Sequence, residues 1–309
     1  MNNDVAVFVK SKTVFDELKK EAEKRDFTLH LNPDLSKFRE DHFVICDVEN
    51  LEHEEGLKDV KKEFLYLLSD RSNEENVNFI VKYHLHHIVG HNNDTFAHEI
   101  VCHLAKTVDG KIYGIGHYFD DDAAIKVLSL SDSKFTNEMV KDALSHFDFK
   151  DYFTSPLEYI QVMANELISN SLYKGPNRRR EEQGLTAPDR KTPVFLKGAD
   201  LVQVTLAMDT KGVALSVQDS FGGLSYDILV QSLKRSFDEK TPMDKKDGAG
   251  LGLYLTFLHS NQFIINYREN FRTEAICIIE RNKRYKNYKE RIRSFHFFQE
   301  VSGEKTHNK

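Results

Sequence analysis

The sequence contains no tryptophan and only three cysteines among its 309 residues. The absence of tryptophan argues against a ligand site built as an aromatic cage. Cys46, Cys102 and Cys277 lie far apart, each within an apolar run, so no spacing typical of a zinc site is present. We therefore expect three buried, reduced thiols.

Long hydrophobic runs are also missing. No window offers the roughly 20 consecutive apolar residues that a membrane span requires. The first residues, Met-Asn-Asn-Asp, lack the basic start and the small-residue cleavage site of a signal peptide. These absences predict a cytoplasmic protein with no membrane association.

Positive charge is in deficit, since the formal net charge is -6. This balance disfavours nonspecific nucleic-acid binding by the surface as a whole. The local exception is residues 281–293, which contain seven Lys or Arg and one acid, with aromatic residues interleaved through residue 298. The segment is interpreted either as a basic tail that contacts nucleic acid, which is the weaker hypothesis, or as an amphipathic helix packed on the domain.

A length of 309 residues favours two domains. Over residues 1–109, short apolar runs alternate with amphipathic stretches, which is typical of βα units. The patterns predict strands at 5–9, 29–31, 42–46, 64–68 and 87–89, with helices at 13–24, 75–83 and 95–107. Five strands with interleaved helices predict an α/β, flavodoxin-like N-terminal domain.

This order of elements resembles the receiver domains of bacterial two-component signalling. Asp47 stands where a receiver carries its phosphoacceptor aspartate, at the end of the third strand. The acidic pair that holds magnesium in receivers is replaced by Lys10-Ser11-Lys12, and the fifth strand ends in Val89-Gly90-His91 rather than in a lysine before proline. Without those carboxylates the magnesium lacks ligands. The prediction is a degenerate pseudo-receiver used for docking, with Asp47 as a structural residue.

Residues 110–150 are predicted to form a connector with a strand at 123–130 and a helix at 137–147. The pattern changes from residue 151 onward. A long helix at 157–173 is expected to end at Gly175-Pro176, followed by a polar loop to 192. Two hairpins, with strands at 201–208, 213–219, 263–267 and 273–279, accompany helices at 226–237 and 251–260. This predicts an α+β two-layer domain over 151–282, followed by a basic C-terminal tail over 283–309.

Three motifs in this second region combine polar residues with glycines. Glu166, Asn170 and Lys174 are spaced i, i+4, i+8, which brings them to one face of the predicted helix. Asp219 ends a predicted strand and is followed by Ser-Phe-Gly-Gly-Leu. Gly248-Ala-Gly250-Leu251-Gly252-Leu opens a helix, where backbone N–H groups freed by glycine suit phosphate oxygens.

Each motif also has a bland interpretation. The first is compatible with an exposed polar helix face, and the second with a tight turn after a strand. The segment 238–247 before the third motif is polar and bears Lys240, Lys245 and Lys246, so it is either a short nucleotide lid or a solvated loop. A Rossmann glycine motif fits poorly there, because it would follow a strand directly.

In this order the motifs resemble the N, G1 and G2 boxes of the GHKL superfamily, which includes gyrase, ATP-driven heat-shock chaperones, histidine kinases and mismatch-repair ATPases. The resemblance covers roughly residues 151–282 and implies an α+β two-layer sandwich of the GHKL (Bergerat) type that binds ATP and Mg²⁺. It implies Asn170 as the magnesium ligand and Glu166 as the catalytic group that polarises the attacking water or hydroxyl. It further implies nucleotide contacts from Asp219, which would accept from the adenine amino group, and from Lys174, Gly223, Gly248, Gly250, Leu251, Gly252 and Thr273.

The second motif departs from the family pattern, because Phe221 stands where the family has the first glycine of Asp-x-Gly-x-Gly. The phenyl ring would either pack against the adenine or partly fill the pocket. Thr273, at the start of a late strand, has β-propensity as its alternative explanation.

The motifs are closest in style to anti-sigma-factor serine kinases and to the ATP-binding domains of histidine kinases. His98-Glu99 has the phosphoacceptor dipeptide of the latter, but no second long helix of matching pattern follows it. The resemblance implies an ATP-binding regulatory protein of bacterial-type signal transduction, a Mg-ATP-dependent protein kinase or ATPase that acts on a partner protein. The alternative is a nucleotide-gated binding module with little or no turnover. A receiver-like domain also allows homodimerisation.

The histidines at 84, 86, 87 and 91 are dense enough to raise the question of a metal. No carboxylate is spaced with them as a metal site would require. Surface or core histidines are the favoured interpretation.

Overall fold

The computed structural model describes residues 3–38, 41–92, 95–134, 136–152, 156–182, 184, 192–238 and 251–300. Within these ranges the chain forms a mixed α/β fold around one eleven-stranded mixed sheet. Helices pack on both faces of this sheet, and the apolar cores lie between them and the strands.

The N-terminal part alternates strands and helices. Its strands are β1 (Asp4–Phe8), β2 (Thr28–Leu31), β3 (Phe43–Asp47), β4 (Leu65–Ser69) and β5 (His87–Gly90). Its helices are α1 (Lys12–Ala22), α2 (Val48–His53), α3 (Glu55–Lys58), α4 (Asn73–Tyr83) and α5 (Phe96–Val108). Each predicted strand agrees with the observed one to within one residue, because apolar runs that become fully buried are local signals. The short helices α2 and α3 were not predicted.

The C-terminal part contributes the remaining elements. Its strands are β6 (Ala124–Leu130), β7 (Val202–Met208), β8 (Gly212–Asp219), β9 (Gln262–Arg268), β10 (Arg272–Glu280) and β11 (Ser294–Gln299). Its helices are α6 (Thr136–Leu144), α7 (Pro156–Ser169), α8 (Gly175–Glu182), α9 (Tyr226–Asp238), α10 (Leu251–His259) and α11 (Tyr285–Glu290). Both predicted hairpins, β7–β8 and β9–β10, are present.

The strand order is β2-β1-β3-β4-β5-β11-β9-β10-β8-β7-β6. The first five strands are parallel. Strand β11 is antiparallel to β5 and parallel to β9, and the strands from β9 to β6 are antiparallel to their neighbours. The last strand in the chain therefore joins the parallel and antiparallel parts into one sheet.

The two faces of the sheet carry different cores. On one face a continuous apolar core runs across both parts of the sheet and includes residues of α4, α7, α9 and α10. On the other face α1 and α5 cover the parallel strands, and residues 112–119 cover the antiparallel ones near β11. Side chains alternate along β11, so Phe295 and Phe297 enter the first core while Phe298 enters the second.

The predicted end of the long helix at Gly175-Pro176 is wrong. A π turn (Asn170–Lys174) follows α7, and the backbone N–H of Gly175 donates to the carbonyl of Asn170. Helix α8 then continues through residues predicted to be a polar loop. Pro176 does not end the helical run, because the π turn directly before it changes the hydrogen-bond pattern at the point where the proline lacks an N–H.

The segment predicted as a basic tail does not extend away from the fold in its described part, residues 283–300. It forms α11 and β11, and β11 is paired on both sides. The expectation of a packed amphipathic helix is wrong for residues 294–299, since the alternation of Phe295 and Phe297 has the period of a strand. Strand β6 of the predicted connector likewise pairs with β7 along its whole length.

Two smaller expectations concern the thiols and the membrane. Cys46, Cys102 and Cys277 are free and buried, which confirms the prediction for the cysteines. No helix in the described ranges is long and apolar enough to cross a membrane.

Candidate functional site

Helix α7 carries the polar side chains of the first motif to its C-terminal end. Its apolar face is buried, and Glu166 and Asn170 remain half-buried. The Asn170 amide nitrogen donates to Glu166 Oε1 at 2.8 Å. Because a carboxylate can only accept, the amide oxygen of Asn170 is turned away from it. That oxygen is buried and has no hydrogen-bond partner among the described residues.

Glu166 also contacts the first turn of α10. A Cβ atom added at Gly252 would overlap the Glu166 carboxyl group. The carboxylate can therefore lie against the backbone of α10 only because residue 252 is a glycine. The N-terminal turn of a helix carries positive partial charge and favours an anion. The first and third motifs therefore meet at the start of α10.

Asp219 lies buried at the end of β8. Ser171 Oγ donates to Asp219 Oδ2 at 3.1 Å, and the backbone N–H of Phe221 donates to Oδ1 at 2.9 Å. Burial raises the pKa of Asp219 to about 6, although both hydrogen bonds act in the opposite direction. Since Ser171 directly follows Asn170, the second motif meets the first at the π turn.

Thr273 is the cross-strand neighbour of Asp219 on β10. Its side chain is 4% exposed, and its hydroxyl oxygen has no hydrogen-bond partner within the described ranges. Buried polar atoms are nearly always satisfied, so one that is not calls for an explanation such as a ligand or a water molecule. Asn170 directly precedes Ser171, and Thr273 is the cross-strand neighbour of Asp219, so these two atoms belong to residues adjacent to the Ser171–Asp219 hydrogen bond.

Phe221 packs between β8 and the π turn. Its side chain is buried in the core on the helix side, and a Cβ atom at Gly175 would come within 2.6 Å of the ring. The following turn depends on Gly222, which has φ +60° and approaches the backbone of residues 268–271 too closely for any side chain. Gly222, rather than Gly223, is thus the glycine that this turn requires.

The remaining predicted site residues are distributed as follows. Lys174 is exposed at the end of the π turn, Gly223 is half-buried beside Gly175, and Leu251 is half-buried as the first residue of α10. Gly248, Gly250 and the predicted lid lysines, Lys240, Lys245 and Lys246, lie outside the described residues.

A separate polar cavity of about 370 Å³ lies at the carboxyl ends of the parallel strands, lined in part by Lys10, Asp47 and Arg71. Asp47 Oδ1 accepts from the backbone N–H of Asn50 at 2.8 Å and thereby caps α2. Asp47 Oδ2 accepts from the backbone N–H of Lys10 at 3.1 Å, and the Lys10 ammonium pairs with Glu49. These contacts give Asp47 a structural task in the described fold.

Sequence reasoning missed Ser171, Gly175 and Gly222. Ser171 carries no signal of its own, because its importance comes from a partner 48 residues away. The double glycine at 222–223 indicated a tight turn, but only the close approach of residues 268–271 distinguishes the two positions.

The arrangement combines an amide oxygen without a partner, a carboxylate at a helix N-terminus and a buried aspartate at a strand end. Hard divalent cations prefer oxygen ligands of this type, and a carboxylate beside them can accept a proton. No protein-family model matches the chain, and the curated proteins include no match to it. Inference about function therefore rests on these residues themselves.

Proposed function

We propose that this chain is an ATP-binding regulatory protein of bacterial-type signal transduction, a GHKL-type, Mg²⁺-dependent protein kinase or ATPase that acts on a partner protein. One observation carries the proposal: three motifs distant in sequence converge on the turn at Asn170. Glu166 contacts Gly252, and Ser171 donates to Asp219. A chance set of polar and glycine motifs has no reason to converge in this way.

In this proposal each group has a chemical role. The Asp219 carboxylate accepts from the adenine amino group, with Thr273 beside it, and the turn after β8 faces the base. Asn170 Oδ1 binds the magnesium ion that neutralises phosphate charge. The N-terminus of α10 holds phosphate oxygens. Glu166 accepts the proton of the attacking water or partner hydroxyl.

For the fold, we propose a flavodoxin-like pseudo-receiver joined to a two-layer sandwich of the GHKL type. The parallel order β2-β1-β3-β4-β5 supports the first part, since it is the flavodoxin-like order. The antiparallel strands with α7, α9 and α10 on one face support the second. The hydrogen bonds that occupy Asp47 favour docking over phosphotransfer as the task of the first domain.

The magnesium role is tested by calorimetric titration of the full chain with ATP, with and without Mg²⁺. Asn170→Ala is expected to weaken Mg-ATP binding roughly tenfold or more and to leave Mg²⁺-free binding nearly unchanged. Asn165→Ala, an exposed asparagine on the same helix, is the matched control and should bind like wild type. Absence of ATP binding by the wild-type chain would refute the proposal.

The catalytic role is tested with labelled ATP. Glu166→Gln is expected to lower phosphate release or transfer by roughly 100-fold or more while nucleotide affinity changes little, because only the proton acceptor is lost. Glu158→Gln, exposed on the same helix, is the control.

Phe221 in place of the family glycine favours the second candidate, a nucleotide-gated binding module. If the wild type and Glu166→Gln both bind ATP tightly and neither turns it over, the chain is a nucleotide-gated binding module rather than an enzyme.

A further inference from the structure

A second polar cluster lies remote from Asn170, where β11 joins the parallel strands. Glu99 and His103 are one helical turn apart on α5, and His296 faces them from β11. His296 Nε2 lies 2.8 Å from Glu99 Oε1, and the rings of His103 and His296 stack with centroids 3.7 Å apart. The three side chains are between 0% and 3% exposed, so the cluster is buried.

We propose that Glu99, His103 and His296 form a binding site for a divalent transition-metal ion of the zinc type, which fastens α5 to β11. Their candidate ligand atoms all lie within 4.8 Å of one another. Zinc bonds of about 2.0–2.2 Å in a tetrahedron require ligand atoms roughly 3.3 Å apart. To bind one ion, the ligand atoms must draw together by up to about 1.5 Å, and the stacked rings of His103 and His296 must swing apart so that both Nε2 lone pairs point to it.

The groups around the two imidazoles favour ligation through Nε2. His296 Nδ1 lies 3.3 Å from Nδ1 of His87, its cross-strand neighbour. His103 Nδ1 lies 3.5 Å from the hydroxyl of Tyr118. A ring that donates from Nδ1 presents its lone pair at Nε2, and such outer partners orient most metal-bound histidines.

One ligand atom is conspicuously unused. His103 Nε2 is buried and has no hydrogen-bond partner among the residues that the structure describes. Glu99 interacts with Ser294 and with the His296 ring, and a divalent cation bound between the carboxylate and the two rings would stabilise its ionised form.

The site also has an entry path. A cavity of about 310 Å³ opens between α5 and β10, and Glu99 and Tyr118 contribute to its lining. A water molecule from this cavity supplies the fourth ligand, which gives the three-residue-plus-water set common in open zinc sites. Because α5 belongs to the N-terminal part and β11 to the end of the chain, bound metal links segments 197 residues apart.

The first test uses the full chain stripped of metal by a chelator and titrated with Zn²⁺ against a chromophoric competitor. One zinc ion per chain is expected. Glu99→Gln, which keeps the shape of the side chain, and His296→Gln are each expected to weaken zinc binding at least 100-fold. His98→Gln, on the same helix and also at the cavity, should leave it unchanged. Sub-stoichiometric binding by wild type, or equal affinity in all variants, overturns the proposal.

X-ray absorption at the zinc edge of the wild-type protein decides the case even where a variant fails to fold. Two imidazole nitrogens, additional oxygen ligands and no sulfur are expected. A sulfur ligand would assign the ion to Cys102 in the neighbouring cavity and would overturn the site proposed here. Zinc affinity should also survive Asn170→Ala, because this site does not depend on the nucleotide site.

Discussion

Asp47 and Asp219 both lie at the carboxyl end of a strand. They differ in whether the polar atoms near them have hydrogen-bond partners in the described residues. Asp47 ends β3 and accepts from two backbone N–H groups, those of Lys10 and Asn50. Asp219 ends β8 and accepts from the Ser171 hydroxyl and from backbone N–H groups that include that of Phe221, but Thr273 Oγ1 on the neighbouring strand has no partner within the described ranges. Asn170, which precedes the serine that donates to Asp219, likewise has an Oδ1 atom without a hydrogen-bond partner among the described residues.

The comparison shows why position in a strand does not by itself assign a function. At β3 the carboxylate organises the start of α2, and its hydrogen bonds close within the protein. Near the end of β8, two polar atoms, Asn170 Oδ1 and Thr273 Oγ1, have no hydrogen-bond partner among the described residues, and the proposed nucleotide and its magnesium ion would supply those partners. The contacts around each aspartate, rather than the aspartate itself, distinguish the candidate site from the structural one.

The largest expected effect comes from adding one methyl group where Glu166 meets α10. Gly252→Ala should lower ATP affinity or turnover by roughly 100-fold or more, because the new Cβ overlaps the Glu166 carboxyl group and displaces it or the helix. Gly56→Ala in α3, where no atom lies within 4 Å of the added Cβ, is the matched control. ATP titration and turnover measure both. Equal behaviour of the two variants would mean that Glu166 and α10 do not act together.

At Lys106, hydrogen bonds do not fully offset the free energy that burial of the charged ammonium costs. Its ammonium donates to the oxygens of Tyr118 and Asn266, yet burial lowers its pKa to about 7. Between pH 7 and the ordinary lysine pKa of about 10.4, the unfolded chain binds a proton that the folded chain does not, so stability should rise with pH. The gain from pH 7 to pH 9 should be roughly 2–3 kcal/mol.

Denaturant unfolding at several pH values measures this gain. Lys106→Met should flatten the dependence, whereas Lys20→Met, an exposed lysine on α1, should retain it. A pH profile that Lys106→Met leaves unaltered would show that this lysine keeps its proton when folded.

Much of the fold was predictable because its signals are local. Apolar runs and period-two alternation predicted the strands of both hairpins and of the parallel part. Strand β11 was missed because seven basic residues precede it, and its alternating Phe295 and Phe297 are meaningful only once β5 and β9 flank them. Helix α8 was missed because Gly175-Pro176 ordinarily ends a helix, and the π turn that accommodates it has no sequence signal.

In the candidate sites, too, residues related by local spacing were predictable from the sequence, and residues brought together by tertiary pairing were not. Glu166 and Asn170 were found because i, i+4 spacing is local, and the structure joins them by a hydrogen bond. The same spacing relates Glu99 to His103, but the third member of that cluster, His296, is remote in sequence. Clusters built by tertiary pairing become visible only when the sheet order is known.

Acid should weaken the nucleotide site in a defined range. Because burial raises the pKa of Asp219 to about 6, the carboxylate that would accept from adenine becomes protonated as pH falls below that value. ATP affinity should therefore decrease about tenfold from pH 7.5 to pH 5. Adenosine, whose binding involves no phosphate ionisation, is the control ligand and should show the same loss. Affinity that is constant for adenosine across this range would exclude Asp219 from adenine recognition.

The smallest effect should come from Asp47. Asp47→Ala removes the cap of α2 and the acceptor for the Lys10 N–H, which should lower the free energy of unfolding by about 1 kcal/mol. Asp47→Asn should restore only part of that loss, because the asparagine oxygen can cap α2 while its NH2 group cannot accept from the Lys10 N–H. Asp16→Ala, at an exposed position of α1, is the surface control.

ATP affinity should be the same in all three variants, because Asp47 acts within the parallel strands and contacts none of the motif residues. Denaturant unfolding and ATP titration of the same samples separate the two roles. A variant at Asp47 that keeps its stability but alters ATP turnover would mean that the carboxylate signals to the nucleotide site. The contrast between the two strand-end aspartates would then be one of regulation rather than of structure against ligand binding.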